Sequence, residues 1–363
     1  MTEQMTTRER WRAALALQPV DRLPFWPKLD GAYAKSQGAP FDQLSLDELH
    51  AWMGSDPHLG IASCLRVERS NSEELWREEG SNRWHIWRTP YGELQQFLQF
   101  DIASHSWHPM SFPVRDRDGI LAMTAFYEDA KPTLSEGLLE ATTAQVAAVG
   151  ERGYTFAGTG ESPLMYWVEW LAGVQNAHLL LADHPEEVEA LFEAIQRYLV
   201  DVARIMIAHS PVDALYLVEN TSTTLISPAQ YKRYCLPHVG ELARTVSEAG
   251  RTLILHMCGH LKALLPDLCN IPARGFEAFT SPTLGNTSLL DGRIGCPDKA
   301  LIGGTNAMLW LKPASSIIAK LEEDLGALPH LRGIVVTSGG VMPPFCKPET
   351  IREVCDWVKA YPV

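Results

Sequence analysis

The segment RTLILHMCGH, residues 251–260, combines a strand pattern with two residues of the kind that bind metals. Thr252 to Leu255 are β-formers, and His256 and Cys258 follow at the end of the run. Residues two apart on an extended backbone point the same way, so the imidazole and the thiol would share one side. Two interpretations are open here: ordinary core residues at a strand end, or two ligands of a metal site.

Similar strand patterns recur along the chain and alternate with amphipathic helical segments. The sequence predicts helices over 184–210 and 227–250, and the second begins with a Ser-Pro capping pattern. The predicted strands are RLPFWPKLD (22–30), DPHLGIAS (56–63), YTFAGTG (154–160), DALYLVEN (213–220), RTLILHMCG (251–259), RGFEAFTS (274–281), ALIGGTN (300–306) and GIVVTSGG (333–340).

Eight strands that alternate with helices predict an α/β fold, a closed (β/α)8 TIM barrel with an N-terminal helical segment. The rival is an open doubly wound sheet. The segments SGG and GGTN are not a GxGxxG followed by a helix, so the sequence does not support a dinucleotide site. The length of 363 residues suits one barrel with extensions, and we predict a single domain over 1–363.

An insertion at 64–150 interrupts the strand-helix alternation. Its segment RWHIWRTPYGELQQFLQF (83–100) is strand-like on both sides of TPYGE, which predicts a small β-hairpin. The following SHSWHPMSFPV (104–114) is predicted to be a loop.

Composition and charge narrow the class of protein. The net charge of −13 argues against nucleic acid or an anionic membrane as the main partner. The N-terminal segment is charged and helical, and no apolar run approaches the ~20 residues that span a bilayer, so we expect a cytoplasmic protein. Seven scattered cysteines favour free thiols and metal ligands over disulfides.

In a parallel barrel the catalytic groups sit where the strands end at their carboxyl side. Zinc prefers nitrogen and sulfur ligands in a tetrahedron. The predicted zinc ligands are His256, Cys258, Cys346 and, in the fourth place, Glu219. Glu277 is only a reserve candidate, because its early position in the strand would direct it to the wrong end of the barrel. Glu219 and Asn220, which end the fourth strand, are the predicted catalytic residues.

Three segments carry a resemblance to a known family. TTRERWRAALALQPVDRLPFWP, LISPAQYKRYCLPHVGEL and LILHMCGH resemble the uroporphyrinogen decarboxylase superfamily, over nearly the full chain. The His-x-Cys-Gly pattern at 256–259 resembles its zinc- and cobalamin-dependent methyltransferases in particular. In those enzymes the last cysteine follows a glycine after the final strand, near Gly340 or Val341. Here TSGGVMPPFCKPE has its cysteine later, at Cys346.

The resemblance implies a zinc-dependent methyl transfer that involves cobalamin. Asp56-Pro57-His58-Leu59-Gly60 is one residue shorter than the corrinoid-carrying signature Asp-x-His-x-x-Gly and lies in a predicted strand. We interpret it as ordinary structure, so a separate corrinoid protein is the implied partner. Decarboxylase activity is disfavoured, because PFWPKLDGAY stands where the decarboxylase has the arginine-bearing RQAGRY.

Aromatic loops suggest where a small methyl donor or acceptor would bind. GESPLMYWVEWLAG and SHSWHPM supply the predicted substrate-binding residues Glu161, Tyr166, Trp167, His105 and Trp107. This aromatic weighting favours an aryl methyl ether as donor, although aromatic residues at helical spacing also suit a core. The alternatives are a methylcobalamin:thiol methyltransferase, a metal-free lyase and a non-catalytic barrel that binds a tetrapyrrole or a partner. The sequence leaves open whether the chain forms a homodimer.

Overall fold

A computed structural model describes residues 4–102 and 104–363 of the chain. The strands within these ranges are β1 Phe25–Trp26, β2 His58–Gly60, β3 Leu65–Glu68, β4 Glu73–Glu79, β5 Asn82–Thr89, β6 Gly92–Asp101, β7 Ser106–Ser111, β8 Lys131–Leu134, β9 Tyr154–Glu161, β10 Ala214–Val218, β11 Thr252–His256, β12 Gly275–Phe279, β13 Ala300–Gly304 and β14 Ile334–Thr337.

The helices in the same ranges are α1 Thr7–Leu15, α2 Gly31–Ser36, α3 Leu46–Met53, α4 Arg117–Glu128, α5 Glu136–Val149, α6 Pro163–Tyr166, α7 Val174–Asp183, α8 Pro185–His209, α9 Pro228–Gln230, α10 Leu236–Glu248, α11 Leu265–Leu268, α12 Leu289–Gly295, α13 Ala314–Gly326 and α14 Pro348–Ala360. π-Helical turns at Trp167–Leu171 and Tyr231–Cys235 continue α6 and join α9 to α10. Short 3₁₀ turns occupy Phe41–Gln43, Gly150–Arg152 and Ala307–Leu311.

Eight parallel strands form the barrel, in the order β1-β14-β13-β12-β11-β10-β9-β2. The backbone N–H of Asp56 donates to the carbonyl of Phe25 at 2.7 Å and links the two remaining edges. The predicted TIM barrel is therefore confirmed, and all eight predicted strands belong to it. Seven of them end earlier than predicted and β9 one residue later. The first shrinks to two residues because Pro24 and Pro27 flank it and proline has no N–H to donate.

Aromatic rings fill the barrel interior, and α1 closes its amino-terminal end. Trp11 is fully buried and donates its indole N–H to the carbonyl of Asp56 at 3.0 Å. His58 packs against Trp11 and Phe156, with ring centroids 4.8 and 4.2 Å away. Burial lowers the pKa of His58 to about 3, so this imidazole is neutral. His58 thus belongs to a barrel strand, in agreement with the interpretation of Asp56-Pro57-His58-Leu59-Gly60 as ordinary structure and not as a corrinoid-carrying signature.

The insertion contains more sheet than a hairpin. The predicted turn lies between β5 and β6, and β4 and β7 extend this hairpin to four antiparallel strands. The prediction of a loop at 104–114 is wrong in part, because Ser106–Ser111 pairs with β6 as β7. Side-chain contacts across that pair, such as Phe100 with Trp107, stabilise the strand. The other strands of the insertion, β3 and β8, pair with each other.

The two long predicted helices are present. The first is Pro185–His209, and the second runs from Pro228 to Glu248 with its π-helical turn near the start.

Among the residues that the structure describes, no helix is both long enough and apolar enough to cross a membrane.

Candidate active site at the carboxyl ends of the barrel strands

An ion-paired carboxylate lies beside His256. β11 and β12 pair in parallel register, which places His256 next to Glu277. Glu277 is fully buried, and its carboxylate accepts hydrogen bonds from Lys28 Nζ at 2.8 and 3.1 Å and from the Tyr216 hydroxyl. Burial alone would raise the pKa of Glu277, but the charges of Lys28 and His256 and their hydrogen bonds hold it well below its usual range.

His256 is oriented by the same carboxylate. Its Nδ1 is in hydrogen-bond contact with Glu277 Oε2. An ionised carboxylate only accepts, so Nδ1 carries a proton, and in the neutral imidazole Nε2 keeps its lone pair. A carboxylate that fixes the tautomer of a histidine in this way is typical of metal-binding histidines.

Cys258 lies just beyond the strand, which ends at His256. Its Sγ donates to Asn220 Oδ1 at 3.3 Å. Burial, and then the charge of Glu169, raise the pKa of Cys258 to about 11, so the side chain is a thiol at neutral pH. The next residue, Gly259, has no room for a side chain, because a Cβ at this position would stand 2.3 Å from the carbonyl oxygen of Thr221.

Glu219 is a fully buried carboxylate with incomplete hydrogen bonding. Its Oε1 accepts from Thr221 Oγ1 and from Cys235 Sγ, both at 2.6 Å. The other oxygen, Oε2, has no partner among the described residues. Burial raises the pKa of Glu219 to about 7 despite its hydrogen bonds with Cys235, Thr221 and Ser162. The π-helical turn at Tyr231–Cys235 carries the thiol to this carboxylate.

Two more glutamates, Glu169 and Glu161, extend the polar network from Asn220. Asn220 donates through Nδ2 to Glu169 Oε2 at 2.9 Å, and Glu169 is hydrogen-bonded to Glu161. Burial and the neighbouring charges of Glu169 and Glu219 raise the pKa of Glu161 to about 9. Burial raises that of Glu169 to about 6. Glu161 therefore holds a proton at neutral pH.

A cavity of about 420 Å³ adjoins Glu161. Gly158, Gly160 and Val218 form its floor at the ends of β9 and β10, and its other lining residues come from α4, α6 and α8. Those residues are Tyr127, Tyr166, Ile195, Tyr198 and Leu199. A slightly larger cavity, about 460 Å³, lies at the opposite end of the barrel beside Arg8, Arg12 and Asp213. Active sites of such barrels lie at the carboxyl ends of the strands, so the cavity at Glu161 is the candidate substrate site.

The predicted zinc ligands are only partly gathered. Cys346 is buried, its Sγ lies 3.8 Å from the carbonyl of Lys347, and burial raises its pKa to about 12. Over residues 4–102 and 104–363, no group of three or more His, Cys, Asp or Glu side chains is arranged to hold a metal ion. His256 and Cys258 thus fit the metal by chemistry, whereas the full set with Cys346 and Glu219 does not form a ligand group.

The predicted substrate-binding residues fall into three places. Glu161 and Tyr166 line the cavity. Trp167 is fully buried in the core and donates its indole N–H to the carbonyl of Ala177 at 3.1 Å. Trp107 lies in β7 and His105 in the turn just before it, and both contact Phe100 of β6, with ring centroids 5.3 and 6.2 Å away.

Several residues of the site were missed by the sequence analysis. Lys28 follows the proline that ends β1 and adopts a positive φ of 49°. Its position at a strand end is a signal that could have found it. Glu169 and Cys235 lie in helices, and only the π-helical turns bring them to the network. Tyr127 comes from the insertion, far from the barrel strands in sequence.

Comparisons with known proteins agree with this fold. The sequence profile of the family "Uroporphyrinogen decarboxylase (URO-D)" matches residues 121–361. A methylated-thiol--coenzyme M methyltransferase of Methanosarcina mazei is 30% identical over 115 residues, a match that spans 31% of this chain and 29% of that relative. A solved methyltransferase structure from the same organism has a TM-score of 0.62 at 15% identity, covering 98% of this chain and 99% of that one. A B12-independent methionine synthase from Shewanella sp. W3-18-1 has a TM-score of 0.52 at 12% identity, over 93% and 98% of the two chains.

Proposed function

Because the chain belongs to the uroporphyrinogen decarboxylase (URO-D) family, we propose that it is one of the methyltransferases of that fold and works in the cytoplasm. It would move a methyl group between a small methyl donor and the cobalt of a separate corrinoid protein. The observation that carries the proposal is the pair His256 and Cys258 at the carboxyl end of β11, linked through Asn220 and Glu169 to the cavity at Glu161. The names of the two Methanosarcina mazei relatives support methyl transfer as the reaction.

We further propose that His256 and Cys258 bind zinc. The hydrogen bond from Nδ1 to Glu277 supports this, because it leaves Nε2 as the coordinating atom. When bound, zinc would supply a Lewis acid for a donor heteroatom or hold a thiol as thiolate. Since Cys346 and Glu219 do not complete a ligand group with this pair, we assign no catalytic step to the metal.

The chain's own residues have separate roles in this proposal. Glu277 fixes the tautomer of His256, and Lys28 keeps Glu277 ionised. Asn220 holds Cys258 and Glu169 at its two amide atoms and thereby positions the thiol against the carboxylates. Glu219, buried and with a pKa of about 7, can gain or lose a proton at neutral pH.

Exposed apolar side chains offer a surface for the corrinoid protein. Loops after β12, β13 and β14 carry Leu284, Met308, Val341 and Phe345, and Phe345 is 84% exposed. These loops follow the carboxyl ends of neighbouring strands, so they surround the barrel mouth. An apolar rim of this kind is typical of a protein interaction site.

Methylation of reduced cobalamin tests the activity. The purified chain is mixed with cob(I)alamin and single candidate donors, an aryl methyl ether such as 2-methoxyphenol among them, and methylcobalamin formation is followed by its visible spectrum. We expect a donor-dependent rate that falls at least about 100-fold in Asn220→Ala. A rate equal to that without protein, for every donor class and with methylcobalamin and thiols in the reverse direction, would refute methyl transfer.

A thiol acceptor is the second candidate. It is favoured by the Methanosarcina mazei relative, whose name specifies a methylated thiol and coenzyme M. The reverse arm of the same assay, methylcobalamin with a thiol, decides between the two directions.

A further inference from the structure

The chemistry of the cavity at Glu161 indicates which donor it accepts. Three tyrosines from different helices, Tyr127 (α4), Tyr166 (α6) and Tyr198 (α8), line one side of it. The ring of Tyr127 stands at 85° to that of Tyr166 and at 66° to that of Tyr198, with centroids 6.4 and 5.8 Å apart. Steeply inclined rings around a cavity form the walls of an aromatic cage.

The hydroxyl groups of the cage remain phenols. The hydroxyls of Tyr127 and Tyr166 are hydrogen-bonded to each other, and burial is the main cause that raises the pKa of Tyr166 to about 12. The tyrosines therefore supply neutral rings with electron-rich faces rather than phenolates. Such faces attract cations, and most strongly those that are poorly hydrated.

The acidic side chain that lines the cavity beside the tyrosines is Glu161, and Glu169 and Glu219 are its acidic neighbours. Glu161, Glu169 and Glu219 act on one another through their charges, and each has one buried oxygen without a hydrogen-bond partner. In the described ranges 4–102 and 104–363, none of the three forms an ion pair with Lys, Arg or His. Buried carboxylates without a countercharge are costly to ionise, so Glu161 holds a proton at neutral pH, and a bound cation would favour its ionised form.

Geometry selects an organic cation over a metal ion. Among the described residues, no three metal-ligating side chains come together here, so the site lacks a ligand set that would chelate a metal ion. A cation whose charge is spread over methyl groups needs no close ligand shell. It needs aromatic faces at van der Waals distance, a nearby negative charge and a volume such as the 420 Å³ available.

We propose that this cavity binds a methylated onium ion, with methyl groups on a positively charged nitrogen or sulfur, and that this ion is the methyl donor. The binding of the ion stands by itself; only its role as methyl donor rests on the proposed methyl transfer. In that reaction the carbon–heteroatom bond breaks and its electron pair stays on the heteroatom, which leaves as a neutral amine or thioether. The new carbon–cobalt bond uses two electrons of the partner's reduced cobalt, so no proton is consumed.

Calorimetric binding to the full chain, with no corrinoid present, tests the site. The probes are tetramethylammonium, trimethylsulfonium, choline, the neutral carbon isostere of choline 3,3-dimethylbutan-1-ol, and 2-methoxyphenol. We expect both simple onium ions and choline to bind, and the neutral isostere to bind at least about 10-fold more weakly than choline. Equal affinity of choline and its isostere, or binding of 2-methoxyphenol alone, would overturn the proposal.

Variants at Tyr198 locate the binding. Tyr198→Leu removes one ring and should weaken tetramethylammonium about 5- to 30-fold, whereas Tyr198→Phe keeps the ring and should bind like the native chain. Thermal melts verify that both variants fold. Unchanged affinity in a folded Tyr198→Leu would place the ion elsewhere and refute the cage. Should Tyr198→Leu not fold, Glu161→Gln takes its place, with an expected loss of at least about 10-fold.

Methyl transfer is measured separately. If the onium ions bind but no donor methylates cobalamin, the cage stands and the proposed function fails. If 2-methoxyphenol methylates cobalamin and the onium ions neither bind nor react, the proposed function stands and the cage fails.

Discussion

His256 and Glu277 face each other across the paired strands β11 and β12, and Nδ1 of the imidazole is hydrogen-bonded to the carboxylate. If His256 binds zinc through Nε2, Glu277→Gln should lower zinc affinity about 10- to 100-fold, because the amide orients the imidazole less well and makes it less basic. Zinc titration against a chromophoric chelator measures the change. Glu248→Gln, at an exposed site at the end of α10, is the matched control. Equal zinc affinity in Glu277→Gln and the control would show that His256 is not a ligand.

The sequence predicts the barrel but not this pair. Each strand is a local run of β-formers, so the alternation with helices can be recognised without any contact between distant segments. That Glu277 reaches His256 depends on the register of β12 against β11, and no local pattern encodes register. Strand ends are misjudged for a related reason: Met257 is apolar and fully buried, so it continues the strand pattern although the strand ends at His256.

The residues of the aromatic cage are even harder to predict from the sequence than the pair of His256 and Glu277. Glu161 is predictable because it ends a strand, and Tyr166 because it follows in the same aromatic loop. Tyr127 and Tyr198 belong to α4 and α8, and they meet because the insertion packs its helix against α8. Glu169 and Cys235 depend on π-helical turns, which insert an extra residue and rotate the side chains that follow. Ordinary helical periodicity does not anticipate that rotation.

Asp56 should be the most sensitive carboxylate for stability. It is fully buried and accepts hydrogen bonds from Arg10 at 2.6 Å and from Arg22 at 2.6 and 2.8 Å, where the edges β1 and β2 meet. Asp56→Ala leaves Arg10, itself 2% exposed, without this partner, so we expect a loss of about 3–5 kcal/mol in the free energy of unfolding.

Urea denaturation measures that loss, with Glu68→Ala as the control. Glu68 pairs with Arg66 at 2.7 Å, but both side chains are exposed, so the control should change stability by less than about 1 kcal/mol. Similar effects of the two substitutions would contradict the role assigned to burial.

Asp213 should make the protein sensitive to acid. Burial alone would raise its pKa, but hydrogen bonds from the Thr155 backbone and from Arg8 and Arg12 lower it below the ordinary value. A lowered folded-state pKa means that the stabilisation is complete above the unfolded-state pKa of about 3.9 and is lost as the pH falls through the folded-state pKa. The melting temperature of the native chain should therefore fall below about pH 4.

Asp213→Asn isolates this contribution. The variant should be less stable at neutral pH, and its melting temperature should depend less on pH in the acid range than that of the native chain. Parallel melting curves for the two proteins down to about pH 3 would instead assign the acid sensitivity to other carboxylates.

Onium binding should strengthen as the pH rises. Burial and the charges of Glu169 and Glu219 raise the pKa of Glu161 to about 9. Of the titratable groups beside it, Glu169 and Glu219 have lower pKa values, about 6 and about 7, and Tyr166 stays neutral. A bound cation favours the ionised carboxylate, so binding releases a proton and affinity increases between about pH 6 and about pH 9, by at most about tenfold per pH unit for one proton. Calorimetry in buffers of different ionisation enthalpy detects the released proton. Glu161→Gln should flatten the profile; a profile of the same steepness in that variant would show that another group titrates.

Filling the cavity from its floor should block the ligand without harming the fold. A Cβ at Gly158 would stand 4.0 Å from the carbonyl oxygen of Tyr216, so it meets no backbone clash. Gly160, by contrast, has a φ of 129°, and its Cβ would stand 2.5 Å from Leu199 Cδ2, so a substitution there strains the chain itself. Gly158→Ala should lower tetramethylammonium affinity modestly and Gly158→Val much more, since each added carbon removes volume from the same 420 Å³. Melting temperatures of both variants should stay near the native value, whereas that of Gly160→Val should drop. Native affinity in a folded Gly158→Val would mean that the ion binds away from this cavity.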